Sequence, residues 1–289
     1  MAKPDSYTQT ASAELWHIID DQWEFQMRED PLFATTCGDH RYGDRLPAVT
    51  PVDYERRLSH LFSFRERLAG IDRAALSPEE QLHHDIFKRL LQNEIGEYEF
   101  QAHLMPVDKL NGFHIFFAEL PQIAPLDNRE DYEKYIARLN GFKAFVDQYI
   151  DLMRAGMREG YMPPRIVLDG IQDSIQPHIV KEAGQSIFFK PFERFPNAID
   201  KVAQPRLAEQ GRAAIVNSVV PGYRALLAFV AGEYQPAARA DIAAAALPNG
   251  HAFYEHRIRY FTSLSLTPQQ VHGTGLAEGE HFSLGANVG

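Results

Sequence analysis

Histidines, carboxylates, serines and one thiol are the groups in this chain that could do covalent or metal chemistry, and their spacing decides which chemistry is open to them. A zinc hydrolase built on a helix places two histidines one turn apart with a glutamate beside the first, so that both imidazoles and the base face one metal. No His-Glu-x-x-His occurs here. The nearest arrangements are Glu99 with His103, one turn apart, and the consecutive His83, His84 and Asp85, whose directions diverge around a helix. A nucleophile elbow needs Gly-x-Ser-x-Gly, and no serine sits in that frame. Cys37 is the single thiol, with His40 close behind it, and without an activating environment such a cysteine is structural. Phosphate-loop and dinucleotide glycine patterns are both missing; Gly273-Thr274-Gly275 has neither the lysine nor the third glycine.

Three clusters mix ionisable and aromatic groups: Asp39-His40-Arg41-Tyr42 with Asp44-Arg45, Gly112-Phe113-His114 before Phe117-Ala118-Glu119-Leu120-Pro121, and Tyr254-Glu255-His256-Arg257. Such mixtures line substrate pockets, and they equally build buried ion pairs and helix-end hydrogen bonds. His40, Arg41, Tyr42, His114, Tyr254 and Arg257 are therefore candidates for cleft contacts. No catalytic residue and no metal ligand is assigned.

Helices must position these groups. Leu15, Trp16, Ile19, Trp23 and Met27 recur at three and four residues, which predicts an amphipathic helix over 11–27, closed at Pro31 and followed by a loop over 38–45. Thr50-Pro51 and Ser77-Pro78-Glu79-Glu80 are helix starts, and the second launches a stripe through Leu82, Ile86, Leu90 and Ile95 with Gly96 as its weak point. Tyr132 through Met153 predict two consecutive helices or one bent at Gly141. A short helix is expected over 166–175 and a packed connector over 188–196. Apolar stripes over 207–220 and 223–230 are separated by Pro221-Gly222, and an alanine-rich helix is expected over 237–247. Period-two alternation is rare and no long repeat is visible, so the fold class is all-α, an irregular multi-helix array.

The 289 residues, 45% hydrophobic and 24% charged, have the composition of an ordinary folded chain. With 29 Lys and Arg against 39 Asp and Glu the net charge is −10, which disfavours nucleic acid as a partner. No basic start with an apolar run and no unbroken stretch of about 18 apolar residues is present, so the expected compartment is the cytoplasm, with an exported form that has already lost its signal as the alternative.

Several stretches together resemble a bacterial family. They are Ala34-Thr35 through Gly38-Asp39-His40-Arg41-Tyr42 to Asp44-Arg45-Leu46, His103-Leu104-Met105-Pro106 followed by Gly112-Phe113-His114, and Phe117-Ala118-Glu119-Leu120-Pro121. Asp131-Tyr132-Glu133-x-Tyr135, Gly160-Tyr161-Met162-Pro163-Pro164-Arg165, and Leu247-Pro248-Asn249-Gly250 leading to Tyr254-x-x-Arg257 continue the series in order. The family is the bacterial domain of unknown function 885, helical proteins similar to zinc metallopeptidases, and the resemblance covers roughly residues 14–278.

That resemblance implies much that the residues alone do not. Family members are about twice this length, with a His-Glu zinc motif in their second half, so this chain resembles their amino-terminal half and carries no cofactor of its own; zinc is expected in full-length relatives. Residues 1–278 are then one helical domain, and 279–289, with three glycines and no helical stripe, a foreign tail left by truncation or frameshift. The implied function is a metallopeptidase-like protein that contributes cleft walls and is inactive alone, with a peptide substrate or a complementary carboxy-terminal half as its partner. The alternative is a helical binding module that works with a separately encoded chain. A half-domain also predicts an exposed apolar face.

Overall fold

A computed structural model describes the backbone of residues 6–285 and the side chains of 10–279. The protein is all-α. Among the described residues there is no strand, and the extended pairing is limited to two isolated bridges, Val107 with Gly112 and Pro164 with Arg239.

The first three long helices, α1 (Ser6–Glu29), α3 (Pro51–Ala69) and α4 (Pro78–Glu99), pack around one apolar core. Proline at the first position starts both α3 and α4, and Ser77 with Glu80 closes a reciprocal capping box on α4: Glu80 N donates to Ser77 Oγ at 3.3 Å and Ser77 N to Glu80 Oε2 at 3.0 Å. Pro31 does not simply end the first segment. It opens a one-turn-plus helix, α2 (Pro31–Thr36), because the Asp30 side chain accepts from Phe33 N and caps it. On α4 three of the four residues of the apolar stripe read from the sequence face outward: Leu82, Ile86 and Leu90 are 59%, 47% and 56% exposed, while the fourth, Ile95, is buried with His84, Phe87 and Leu91. Both rows obey helical spacing, and the bulk of Phe87 wins the core.

A second, larger core surrounds α7 (Arg129–Glu159), a single uninterrupted helix. Asn128 and Asp131 cap its start, and Gly160, at φ +82°, reverses the chain at its end. Before it lie the short α5 (Phe113–Ala118) and α6 (Leu120–Ile123); after it, α8 (Arg165–Leu168) and α9 (Gln172–Ile175) replace the single short helix expected, broken at Gly170 with φ +79°. The Phe-rich connector is a 3₁₀ run, Ile187–Phe192, burying Phe188, Phe189 and Phe192.

Against α7 lies the continuous helix Ala203–Ala237, made of α10 (Ala203–Ala214), α11 (Val220–Phe229) and α12 (Gln235–Ala237) joined by π-turns at Ile215–Val219 and Val230–Tyr234. Pro221-Gly222 therefore separates nothing. Each π-turn ends two residues before a proline, Pro221 and Pro236, and the wider turn takes up the missing N–H and the ring clash that would break an α-helix. Gly222 is where the Phe142 ring of α7 comes closest, 2.8 Å from the position a Cβ would take. By length and mean hydropathy, 1.5 over its most apolar window, this helix could cross a membrane, yet 56% of that window is buried in the protein. It is a core helix.

The alanine-rich stretch after it is not helical apart from a 3₁₀ turn at Ala244–Ala246. Arg239 holds it open: its carbonyl accepts from Arg165 N at 2.9 Å while its guanidinium donates to the carbonyls of Met162 and Ala243 at 2.9 and 2.7 Å. Tertiary contacts override alanine's propensity. The chain closes with α13 (Gly250–Thr262), laid along α4, and α14 (Pro268–Gly285). The helix thus runs through Gly279 and on to Gly285, past the break expected at 279; Ala286 to Gly289 lie outside the described residues.

Candidate functional site

The six cleft candidates fall in three separate places. His40, Arg41 and Tyr42 share the turn after α2, beside an open depression of about 610 Å³ lined by Trp23, Cys37 and Lys134. Arg41 is tied to Asp39 and to Glu24 at 2.6 and 2.8 Å. Its guanidinium covers the Tyr42 ring at 5.4 Å, so these groups chiefly order the turn.

Beneath that turn sits a residue that no sequence pattern marked. Arg138 of α7 is 2% exposed, and its guanidinium donates to the carbonyls of Arg45, Pro31 and Tyr42 at 2.8, 2.6 and 3.3 Å and to Thr35 Oγ1 at 2.8 Å. Burial pulls it down to about 10, and it remains the cation that clamps residues 31–45 to α7.

His114 is fully buried in α5. Its Nε2 lies 3.0 Å from Ser174 Oγ, which resembles a nucleophile–base pair. The Ser174 hydroxyl, however, donates to Ile171 O at 2.7 Å, so it accepts from the imidazole and Nδ1 is left as a buried orphan acceptor. Burial, with His178 nearby, pushes His114 down to about 4. A neutral histidine with an inward-facing serine is a packing device.

Tyr254 and Arg257 lie on α13, where Tyr254 is exposed. Arg257 donates to Glu97 Oε1 at 2.7 Å, and His256 Nε2 meets the same oxygen at 2.8 Å. His256 is buried against Gly96, where a Cβ would come within 2.3 Å of its ring. The glycine that weakens α4 as a helix is the seat of α13.

A further cavity lies at the seam of the two cores, lined by residues of both. This cavity of about 240 Å³ is lined by Gln22, Gln26 and Glu29 of α1, Tyr54 and Arg57 of α3, Glu94 and Tyr98 of α4, and Tyr149 of α7. A neighbouring cavity of about 300 Å³ shares Gln22, Gln26 and Glu94 and extends the groove to Glu97 and Tyr260. Tyr54 is held from behind by His103, ring centroids 4.1 Å apart, and Tyr149 by Phe113 at 3.9 Å. His103 keeps a buried Nδ1 without a partner and is pushed down to about 4 by burial and by Arg57, so it is neutral.

Two carboxylates in this groove differ sharply. Glu29 accepts from Arg56 at 2.6 and 2.7 Å and from Arg57 at 3.1 Å; burial alone would raise it, and the two arginines hold it below its usual range. Glu94 makes no hydrogen bond or ion pair among the described residues, and burial raises it. No sequence signal could find this set, because its members come from four helices spread over 128 positions, Gln22 to Tyr149, counted inclusively.

As for metal, His83 packs tilted against Trp16 with ring centroids 5.0 Å apart, the buried His84 meets Asp85 at 3.1 Å, and Asp85 is committed to Arg73 at 2.8 and 2.9 Å. Among the described residues no three His, Cys, Asp or Glu side chains converge in a way able to hold a metal ion, so the donor set here does not fit zinc.

The sequence pattern of the family described as bacterial protein of unknown function (DUF885) matches residues 31–283. Among solved structures, a protein from Colwellia psychrerythraea described as a candidate lipoprotein superposes with a TM-score of 0.75 at 20% identity, over 94% of this chain and 49% of its own. That likeness is one of fold, and the chain spans about half that protein's length. No curated protein matches.

Proposed function

The chain belongs to the DUF885 family of bacterial proteins, and from that premise we propose that it supplies one wall of the substrate cleft in a metallopeptidase-like protein, with the seam groove as the peptide-binding surface. The observation that carries this reading is the groove itself: tyrosine faces, two glutamine amides, an arginine and an unpaired carboxylate are the groups that grip peptide backbone and side chains. Hydrolytic ligands would come from outside the described residues, and no step through zinc is routed over these side chains. Walls of this kind set specificity rather than perform hydrolysis.

The test is a peptide library presented to the purified chain with and without zinc. Saturable peptide binding without cleavage is expected, and weakened binding in Tyr98→Ala. Peptide cleavage by this chain alone, abolished by a chelator, would overturn the reading.

A second reading, a helical module that docks with a separately encoded partner, is favoured by one observation. Leu82, Ile86 and Leu90 form an exposed stripe on α4, and Phe261 and Leu264 are exposed at the end of α13. A stable one-to-one complex with the separately expressed carboxy-terminal half of a family member, lost on a substitution within that stripe such as Ile86→Glu, would distinguish docking from peptide binding.

A further inference from the structure

A carboxylate left without a partner in a half-closed aromatic cavity is costly unless a ligand completes it. Glu29, on α1 in the same cavity, shows what completion looks like, with three arginine nitrogens on its two oxygens. Glu94 has none, although it lines both parts of the groove. We infer that the seam cavity binds a primary ammonium group, with Glu94 as its counter-ion and Tyr54, Tyr98 and Tyr149 as its aromatic walls.

The alternatives are excluded by the same lining. An anion would meet Glu29, Asp30 and Glu94, and Arg57, the cavity's cation, already donates to Glu29 and to the Ala48 carbonyl. A divalent metal would find one free carboxylate and no converging second and third ligand among the described residues. A neutral ligand would leave Glu94 uncompensated. An ammonium group answers every feature at once. Glu94 supplies a charge-assisted hydrogen bond, the amide oxygens of Gln22 and Gln26 supply further acceptors, and tyrosine faces attract a cation through the ring quadrupole.

The tyrosines are arranged for this. Tyr54 and Tyr98 have centroids 5.8 Å apart at 60°, so their faces form a corner rather than a stack. His103 covers one face of Tyr54 and Phe113 one face of Tyr149, and the Arg57 guanidinium already lies 5.4 Å from the Tyr54 centroid, a cation held by the same ring quadrupole. A cavity of about 240 Å³ accommodates an ammonium with a short alkyl stem. The burial-driven rise of Glu94 is what an empty counter-ion site produces and what a bound cation would reverse.

The inference rests on the peptide-binding reading only for the source of the ammonium group, which could be a peptide's amino terminus or a lysine side chain. The test titrates n-butylammonium chloride into the full chain by calorimetry, in phosphate buffer because Tris is itself a primary amine. n-Butanol serves as the neutral isostere. One-to-one saturable binding is expected, about tenfold to a hundredfold weaker in Glu94→Gln, the size of a charged hydrogen bond. Glu99→Gln, which changes net charge identically on the exposed side of α4, should bind as the wild type does. Tyr98→Leu should weaken binding and Tyr98→Phe should largely retain it.

Two further arms assign the source: trialanine amide against its N-acetylated form, and N-acetyl-lysine methylamide. Binding of either supports the site and names the source. If n-butylammonium binds and neither arm does, the site stands and the peptide-binding reading falls. Equal affinity of wild type and Glu94→Gln, equal affinity for n-butanol, or no ammonium binding at all would overturn the inference. A thermal melt of Glu94→Gln keeps the result interpretable, because removing an uncompensated charge should not unfold the protein.

Discussion

Replacing Arg138 with alanine should loosen the turn that carries His40, Arg41 and Tyr42 while leaving both cores folded. The guanidinium serves three carbonyls and one hydroxyl, and three of the four contacts are 2.6 to 2.8 Å. A hydrogen bond to a charged group contributes about 1.5–3 kcal/mol. The sum is reduced because the cation's own desolvation is relieved when it goes, a penalty visible in its fall to about 10. A net loss of about 3–5 kcal/mol remains. At roughly 2.1 cal/mol/K of unfolding entropy per residue, 289 residues convert that loss into a fall of about 5–8 °C in Tm. Arg138→Lys should recover part of it, since one ammonium cannot reach Arg45 O and Pro31 O together. Calorimetry reads the Tm, and amide hydrogen exchange reads the location, with protection lost first over 31–45. A Tm within about 2 °C of the wild type, or loss of protection in α7 with the turn unchanged, would refute the clamp.

Three other outcomes follow from single contacts. Gly96→Ala should cost about 1–2 kcal/mol in denaturant melts, because a Cβ 2.3 Å from the His256 ring overpacks the α4–α13 contact by more than the helix gains in propensity; a stabilised variant would show that α13 does not seat there. Glu94 is raised in the folded state, so its contribution is fully present below the unfolded carboxylate value and is lost as pH rises through the folded value. Glu94→Gln should therefore match the wild type near about pH 4 and be the more stable of the two at about pH 7, and a difference independent of pH would contradict the assignment. Leu90→Ser, on the exposed row of α4, should change stability by no more than about 0.5 kcal/mol in denaturant melts, whereas Leu91→Ser, beside it in sequence and 1% exposed, should cost several times as much.

Local chemistry made much of this protein readable from residue types in order. Ser77-Pro78-x-Glu80 and Thr50-Pro51 start helices because the capping groups and the proline act within one turn, and no distant contact competes with them. The apolar residues from Tyr132 to Met153 marked helix but predicted a break or bend at Gly141, which the uninterrupted α7 does not have, and the scarcity of alternation dictated an all-α fold. What the order of residues left open was every choice between two faces or two partners. Leu82-Ile86-Leu90 and Phe87-Leu91-Ile95 are both valid helical rows, and packing against α1 and α3 selected the second. Alanine-rich 237–247 lost its helix to Arg239, and Pro221 kept its helix through a π-turn, each decided by neighbours more than 50 positions away or by the wall of α7.

The same division holds for the sites. His40, Arg41, Tyr42, His114, Tyr254 and Arg257 were visible because each sits in a dense local cluster, and the structure scatters them over a surface turn, a buried core position and the α13–α4 contact. The seam groove was invisible because Glu29, Tyr54, Glu94 and Tyr149 are unremarkable where they stand and meet only when four helices pack. Sequence alone determined the family, the all-α class and the capped starts of α3 and α4, since those depend on residues close in the chain. Tertiary structure alone decided which carboxylate is paired and which is left bare, because charge compensation is set by distance in space.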